Sequence, residues 1–524
     1  MQIPAQYKPS HIFWLLGILA FILFVRLAAS PIYILDEAKN AQCAREMFQR
    51  NDWVVPTFNG ELRTDKPVLH YYFMMVAYKI FGVNEFAARF FSAVAGFFTV
   101  VLTYTFTRKF VNDLTGFCAA LVLVASTQFL FEFRLSVPDP YLIFFITVGL
   151  FTGFAYLQQN KFEYLLIAAT AFSLATLAKG PVALALPGLC LLIWIFWKKK
   201  WSMVFTWKLL VAIALVAIIT LPWYLAVHKA TNGLWTRGFF IDHNLNRFSD
   251  PQEGHGGFFL VTLLFVVVGL LPFTSFSAEL FKKKKLFFSN DLIQFSGIVV
   301  LAFVIFFSIA STRLPNYPMP CYPFVAIILG SYISNVFSLS FTLKKYPFFI
   351  VLGILTIIPF AGFLAINNEL EAAYVSWIAL LLLAGPLCLF LVLRQWKKWT
   401  VYKTTMGLFA SYTLFNIIAL HQVYPIIYRQ NPVAKSINEV LKHNKIFAYE
   451  IYNPGYNFYL PSGVNRFTNV DSLKSAILQN PSAIIITRLA YADTLKGLSL
   501  KEVARHHDLF ETPTTVLYVT NNQP

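Results

Sequence analysis

Repeated runs of about 20 apolar residues constrain this chain more than any other feature, because that is the length an α-helix needs to cross the hydrocarbon core of a bilayer. The runs begin near Ile12, Phe86, Leu114, Tyr141, Phe162, Val182, Lys208, Phe258, Leu292, Tyr317, Tyr346, Tyr374 and Thr404. They predict an α-helical integral membrane protein with about 13 transmembrane helices. Composition agrees. Only 13% of the 524 residues are charged, against about 25% in soluble proteins. This excludes a disordered chain, a coiled coil and an ordinary soluble enzyme. Five scattered cysteines exclude a disulfide scaffold. Leu27-Ala28-Ala29-Ser30 resembles a cleavage site, but the dozen spans that follow favour a retained first helix.

The net charge is +17, and its distribution argues against nucleic acid, which would want a basic face on a soluble domain. Sixteen lysines and arginines fall in one alternate set of short connections: Arg108, Lys109, Lys161, Lys198 to Lys200, Lys282 to Lys285, Lys344, Lys345, Arg394, Lys397, Lys398 and Lys403. The other set holds three, Arg134, Lys179 and Arg313. The positive-inside bias then predicts a cytoplasmic N-terminus and outward-facing long connections. Residues 31–85 form one such segment, with amphipathic stretches at Glu37 to Phe48 and Leu69 to Phe81 expected along the membrane surface. Residues 228–257 form a second. Residues 426–524 form a third, in which strand patterns at Ile446 to Tyr449, Ala483 to Thr487 and Val516 to Val519 alternate with helical ones at Val433 to Lys442 and Val470 to Gln479. This predicts a membrane domain over residues 1–425 and a small extracytoplasmic α/β domain over 426–524.

The first outward segment holds a dense set of polar landmarks. Asp36-Glu37 follows the first span, Asp52-Trp53 and Asn59-Gly60 mark turns, and Asp65-Lys66-Pro67 precedes the aromatic cluster His70-Tyr71-Tyr72. Phe81-Gly82-Val83-Asn84-Glu85 leads into the second span. Asp36 is either a helix N-cap or a catalytic carboxylate. Asp139, in Ser136-Val137-Pro138-Asp139-Pro140, carries the same two readings. Lys179, in Ala178-Lys179-Gly180-Pro181, sits between apolar runs, where a lysine is costly unless paired. It either snorkels from a helix end or serves the site.

Taken together, these residues resemble the GT-C class of polyprenyl-phosphate-sugar-dependent glycosyltransferases. The nearest likeness is to the lipid A aminoarabinose transferases, distant cousins of the protein O-mannosyltransferases. The likeness is strongest over residues 33–140 and continues with gaps to about 335. It implies a GT-C type membrane fold with Asp36, Glu37 and Asp139 as catalytic carboxylates. Lys66, Lys179, Arg247 (in His243-Asn244-Leu245-Asn246-Arg247-Phe248), Arg313 and Tyr317 (in Ser311-Thr312-Arg313-Leu314-Pro315-Asn316-Tyr317) would contact the lipid phosphate. Some relatives hold a divalent metal ion between an acidic residue ahead of the Lys-Pro motif and a loop histidine; the matching positions are Asp65 and His243, with His255 nearby. Two or three scattered O and N ligands make a weak metal signature, and no other cofactor is implied. Gly256-Gly257-Phe258-Phe259 departs from the family's Pro/Tyr cluster, which removes an aromatic hydroxyl there.

The expected partners are a sugar donor on undecaprenyl phosphate, membrane lipids, and a cell-envelope acceptor: lipid A or lipopolysaccharide, a glycan, or a protein. The expected place is the bacterial cytoplasmic (inner) membrane, with transfer at its outer face by inverting single displacement. The rival reading is a transporter or flippase of lipid-linked sugars. Transporters usually show internal repeats and interrupted midplane helices, whereas here the unusual polar residues gather at one face.

Overall fold

The computed structural model describes residues 6–245, 258–288 and 290–520. Among them, nine helices are long and apolar enough to cross a membrane. The pair Val261–Gly269 and Phe273–Lys282, bent by 112°, meets the same length and composition only when taken together. Three shorter apolar helices, His11–Phe24, Asp113–Ala125 and Val182–Trp197, occupy the remaining positions at which the sequence predicts spans.

The N-terminal half runs α1 (His11–Phe24), α2 (Leu35–Arg50), α3 (Leu69–Phe81), α4 (Glu85–Phe110), α5 (Asp113–Ala125), α6 (Thr127–Glu132), α7 (Asp139–Gln159), α8 (Phe162–Lys179), α9 (Val182–Trp197) and α10 (Trp207–Ala230). Asparagine caps start α4 and α5: the Asn84 side chain accepts from Ala87 N–H at 2.9 Å and Asn112 from Thr115 N–H at 2.8 Å. Residues 114–125 of α5 are all buried, so this helix is apolar all round and sits at the centre of the bundle. Small residues let it lie there. A methyl group at Gly330, in helix Met319–Phe337, would stand 2.6 Å from the Ala119 backbone nitrogen, an approach typical of membrane helix packing.

Buried Arg134 is accounted for by the end of α1. Its guanidinium donates to the carbonyls of Ile22, Leu23, Val25 and Arg26, satisfying acceptors that a helix C-terminus leaves open.

The two amphipathic helices of residues 31–85 form as the pattern predicts, but in different surroundings. Eight of the sixteen residues of α2 are buried, against α3 and against the short helix Gly455–Tyr459 near the C-terminus. Arg45 donates to Phe458 O at 2.7 Å and Ile32 N–H to Tyr459 Oη at 2.7 Å. α2 is therefore held between protein layers, where its small residues (Ala38, Ala41, Ala44) fit and a lipid-facing helix would want bulk. Between α2 and α3, strands β1 (Thr57–Phe58) and β2 (Glu61–Leu62) form a hairpin. Asn59 and Gly60 at its tip have φ of 54° and 79°, as a two-residue hairpin turn requires.

The C-terminal region carries a five-stranded mixed sheet of β3 (Ile446–Tyr449), β4 (Asn465–Phe467), β5 (Ile484–Arg488), β6 (Leu500–His507) and β7 (Thr514–Thr520), ordered β4-β3-β5-β7-β6. The sequence pattern marks β3, β5 and β7, which hold the buried residues. It passes over β4 and β6, which are exposed or half-exposed along most of their length. Phe447, Tyr449 and Ile485 face a small separate core, while Ala448, Ile484 and Ile486 join the cluster that runs through the membrane helices. The sheet is thus docked on the bundle. The last apolar helical stretch runs to Tyr428, and the first helix of the sheet region is Pro432–Val440.

Candidate active site

The polar landmarks converge at the end of the bundle that meets the C-terminal sheet. Asp139 is the first residue of α7 and Lys179 the last of α8. Each lies at the helix end whose dipole favours its charge. Their ion pair, at 2.5 Å, joins the two helices and is nearly buried, with 6% of the Asp139 and 14% of the Lys179 side chain exposed. Lys179 Nζ also lies 4.9 Å from the centre of the Tyr317 ring, within cation–π range. Gly180 ends α8 with φ of 95°, and a methyl there would meet the Phe239 ring at 2.6 Å. Only glycine allows both that turn and that approach.

Two cavities meet here. The first, about 210 Å³, is lined by Lys66, Lys179 and Tyr317 together with apolar Leu142, Val182, Phe239, Phe306 and Phe307. The second, about 530 Å³, is lined by Asp36, Lys39, Tyr33, Tyr428 and residues of the C-terminal sheet region. Asp65, Lys66 and His243 line both, so these three residues form the wall through which the cavities adjoin. Within that wall His243 Nε2 lies 3.0 Å from Asp65 Oδ1 and Arg63 3.0 Å from Asp65 Oδ2. Burial alone would raise the Asp65 pKa. The contact with His243 and the charges of Arg63 and Lys66 outweigh it and hold the carboxyl below its ordinary range.

Asp36 is in the first turn of α2, whose N-cap is Ile34. Its side chain is exposed in the second cavity with no hydrogen-bond or ion-pair partner among the described residues. The capping reading therefore does not hold for Asp36. Nor does it for Asp139, since Pro138 occupies the cap position and makes no side-chain cap.

Glu37 is placed otherwise than the sequence predicts. It is fully buried, accepts two hydrogen bonds from Arg89 at 2.8 Å each, and accepts the Ser136 N–H at 3.0 Å. Arg89 also donates to the carbonyls of Leu27 and Ser30. The carboxylate that the acidic pair sends into the helix packing thus fixes the chain that leads into α2, while Asp36, one residue earlier, is sent into the cavity. From the Ser311–Pro320 segment, Thr312 and Tyr317 line the first cavity and Leu314 the second. Arg313, between Thr312 and Leu314, is partly buried. Arg247 and His255 lie outside the described residues.

A metal ion between Asp65 and His243 would find one carboxylate oxygen and one imidazole nitrogen, donors suited to zinc. Catalytic zinc sites bring three protein ligands. Among the described residues no group of three His, Cys, Asp or Glu side chains could hold an ion, and Arg63 takes the other Asp65 oxygen. Among the described residues the donor set does not fit a metal ion.

Sequence reasoning missed two single residues and one segment. Lys39 lies three residues after Asp36, on the same helix face, so periodicity could have found it. Glu132 is a buried acid at the end of α6, near Asp139 and Lys179; an acid in an apolar run is itself a signal. Leu509, Phe510 and Glu511 reach the second cavity from the far end of the chain, and no local pattern announces that.

Comparison with known proteins gives the same direction. Residues 14–236 match the family model described as dolichyl-phosphate-mannose-protein mannosyltransferase. A protein of Aquifex aeolicus is 29% identical over 454 residues, which is 85% of this chain and 86% of that one. An undecaprenyl phosphate-alpha-4-amino-4-deoxy-L-arabinose arabinosyl transferase of Pseudomonas fluorescens is 28% identical over 326 residues. That match spans 61% of this chain and only 59% of the transferase. Among solved structures, ArnT from Cupriavidus metallidurans bound to undecaprenyl phosphate superposes with a TM-score of 0.78 over 98% of both chains, at 20% identity. The archaeal oligosaccharyltransferase AglB from Archaeoglobus fulgidus gives 0.52 over 92% of this chain and 70% of that one, at 13% identity. These likenesses show the fold.

Proposed function

On the premise that this multi-pass membrane protein is related to the aminoarabinose transferase and protein O-mannosyltransferase superfamily, we propose that it is a GT-C glycosyltransferase. It moves a sugar from a polyprenyl-phosphate donor to a cell-envelope acceptor, and one observation carries the reading. Two cavities adjoin through Asp65, Lys66 and His243: one apolar with cations at its polar end, the other holding an exposed Asp36 that has no partner among the described residues.

The donor occupies the first cavity. Its prenyl chain lies against Leu142, Val182, Phe239, Phe306 and Phe307, and its phosphate meets Lys66, Lys179 and the Tyr317 hydroxyl. Arg313 and Arg247 are further candidates for the phosphate from their sequence positions. Cations in a partly dry site stabilise charge that develops on the leaving phosphate. Asp139, paired with Lys179, sets where that ammonium stands. The acceptor enters the second cavity, on the opposite side of the shared wall. Its oxygen forms a bond to the anomeric carbon as the bond from that carbon to the phosphate oxygen breaks, and the electron pair leaves with the phosphate. Attack from the face opposite the leaving group inverts the configuration. Where the acceptor is a hydroxyl, Asp36 takes its proton, an effect typically worth 10² to 10⁴ in rate. Where it is a phosphate, already ionised, Asp36 positions the acceptor or the sugar.

The topology we propose has thirteen crossings: the nine long helices, the bent pair and the three short ones. The basic clusters lie on the cytoplasmic side, and the site and residues 426–524 outside. The membrane domain is residues 1–425. In a bacterium this places transfer at the outer face of the cytoplasmic membrane.

The test supplies radiolabelled polyprenyl-phosphate sugars to the purified protein in lipid, with envelope extract as acceptor. Label entering an acceptor, and lost in Asp36→Asn and Lys66→Ala, supports the reading. Transfer that survives both substitutions sinks the site assignment. Labelled lipid that crosses the bilayer with no transfer would make the protein a transporter.

A further inference from the structure

One wall of the second cavity takes no part in the chemistry above. Leu509, Phe510 and Glu511, in the connection from β6 to β7, line it together with Asp36 and Lys39. Four consecutive backbone N–H groups of this turn, Asp508 to Glu511, are hydrogen-bonded. Asp508 is fully buried, ion-paired with Arg488, and accepts from the Thr515 hydroxyl at 2.7 Å. Asp508 N–H donates to Pro513 O at 2.9 Å, and Glu511 N–H to Asp508 O at 3.2 Å. Two bonds reach across to other parts of the molecule. Leu509 N–H donates to Tyr33 Oη at 3.2 Å, and Phe510 N–H to Glu369 Oε2 at 3.2 Å.

Phe510 has φ of 58°, a left-handed conformation that is an outlier for a bulky side chain. Such geometry persists only where the surroundings over-determine it, and it gathers at ligand-binding positions. The consequence here is an aromatic ring, 48% exposed, presented at a cavity rather than packed in the sheet's core.

The composition of that cavity suits a saccharide. Tyr33, Phe131, Tyr428 and Phe510 supply aromatic surface, and Asp36 and Glu511 supply carboxylates. The C–H faces of a sugar ring pack against electron-rich aromatic faces, and its hydroxyls donate to carboxylates. At about 530 Å³, the space is that of a small-molecule site. Its described lining sets the carboxylates Asp36, Asp65 and Glu511 against Lys39, Lys66 and His243, so acids match basic groups in number and leave the cavity without the cationic excess of a dedicated anion site.

We propose that the Phe510–Glu511 turn is the acceptor-recognition element, binding a saccharide ring. Phe510 stacks on the ring and Glu511 accepts from its hydroxyls. This rests on the second cavity being the acceptor side. The saccharide is either the headgroup of an envelope glycolipid or a residue of an envelope glycan.

Saturation-transfer NMR on the full chain in lipid nanodiscs tests this without any donor. The probes are the deacylated headgroup of the envelope glycolipid, a lipid-free oligosaccharide from the envelope glycan, and a serine-containing peptide. At least one saccharide should bind wild type, and which one identifies the source. Phe510→Ala and Glu511→Gln should each weaken it about three- to tenfold. Phe510→Tyr, which keeps the aromatic face, should bind as wild type, and undecaprenyl phosphate binding should be unchanged in all three. Equal saccharide binding by wild type and both weakened variants overturns the proposal, as does binding of the peptide alone or of no probe. The radiolabel assay separates this from the enzymatic reading. Saccharide binding without transfer by wild type sinks the enzyme and leaves the site. Transfer with an unchanged acceptor KM in both variants sinks the site and leaves the enzyme.

Discussion

At the scale of single residues, the adjacent acids Asp36 and Glu37 show how one helical step divides two roles. The first turn of α2 points Asp36 into the second cavity and Glu37 into the packing, where it meets Arg89. With a hydroxyl acceptor, Asp36→Asn should lower transfer by about 10² to 10⁴ and leave the thermal unfolding midpoint in detergent unchanged, since Asp36 has no partner among the described residues to lose. Glu37→Gln should do the reverse in emphasis. It leaves the Arg89 guanidinium, 1% exposed, without its counter-charge, at a cost of about 3–5 kcal/mol, so the unfolding midpoint should fall clearly. A Glu37→Gln protein that melts like wild type would refute the structural role. The sequence marks both acids as a unit, because a motif carries no information about which way each side chain points. Lys179 was legible for a different reason: a lysine between apolar runs is costly unless paired, and its partner is Asp139.

Elements place these residues, and here glycine and a buried carboxylate matter most. Gly180 turns the chain out of α8 directly after Lys179, with its α-carbon against Phe239. Gly180→Ala would meet both the positive φ and the ring, so Lys179 should shift relative to Tyr317 and donor KM should rise while α8 itself still forms. Unchanged donor KM would show that the turn does not set the lysine. On the docking face of the sheet, Glu371 accepts from Lys435 at 2.6 Å and from the His507 N–H at 3.1 Å. Burial would raise its pKa, but Lys435 and the His507 amide outweigh that and lower it. A carboxyl depressed in the folded state adds stability that is fully present above its unfolded pKa of about 4.3. That stability is lost as pH falls through the lower folded value. Amide exchange in β6 and β7 should therefore be pH-insensitive, after correction for intrinsic rates, from neutrality to about pH 5, and rise below that. In Glu371→Gln it should already be raised at neutral pH. The sequence shows the strands that are buried on both faces but not β6, whose pattern is Leu500-Lys501-Glu502-Val503-Ala504-Arg505-His506-His507. Polar outward residues and a register shift between Glu502 and Ala504 hide the period-two signal that marks a strand.

For the whole molecule, the apolar runs predicted where helices stand, since hydrocarbon thickness dictates their length. They said nothing of how residues 31–85, the bundle and the C-terminal sheet close on one another, because such contacts join positions hundreds of residues apart. Asn59 at the hairpin tip illustrates it: its side chain accepts from Val464 N–H at 2.9 Å and donates to Val464 O at 2.8 Å. With the sheet fixed at that end, one measurement orients the entire protein. The native cysteines suit the experiment, since Cys43, Cys118, Cys190 and Cys321 are buried and Cys388 is half-buried in the span Ala373–Arg394. Ser472→Cys, exposed on helix Val470–Gln479 of the sheet region, and Lys344→Cys, exposed in a basic connection, place thiols at the two ends. A membrane-impermeant maleimide added to intact spheroplasts should label the Ser472→Cys protein at once. The Lys344→Cys protein should react only after the membrane is opened. The opposite pattern would turn both cavities toward the cytoplasm, where an acceptor assembled outside the membrane has no access. The acceptor would then have to be an intermediate still under construction on the inner face.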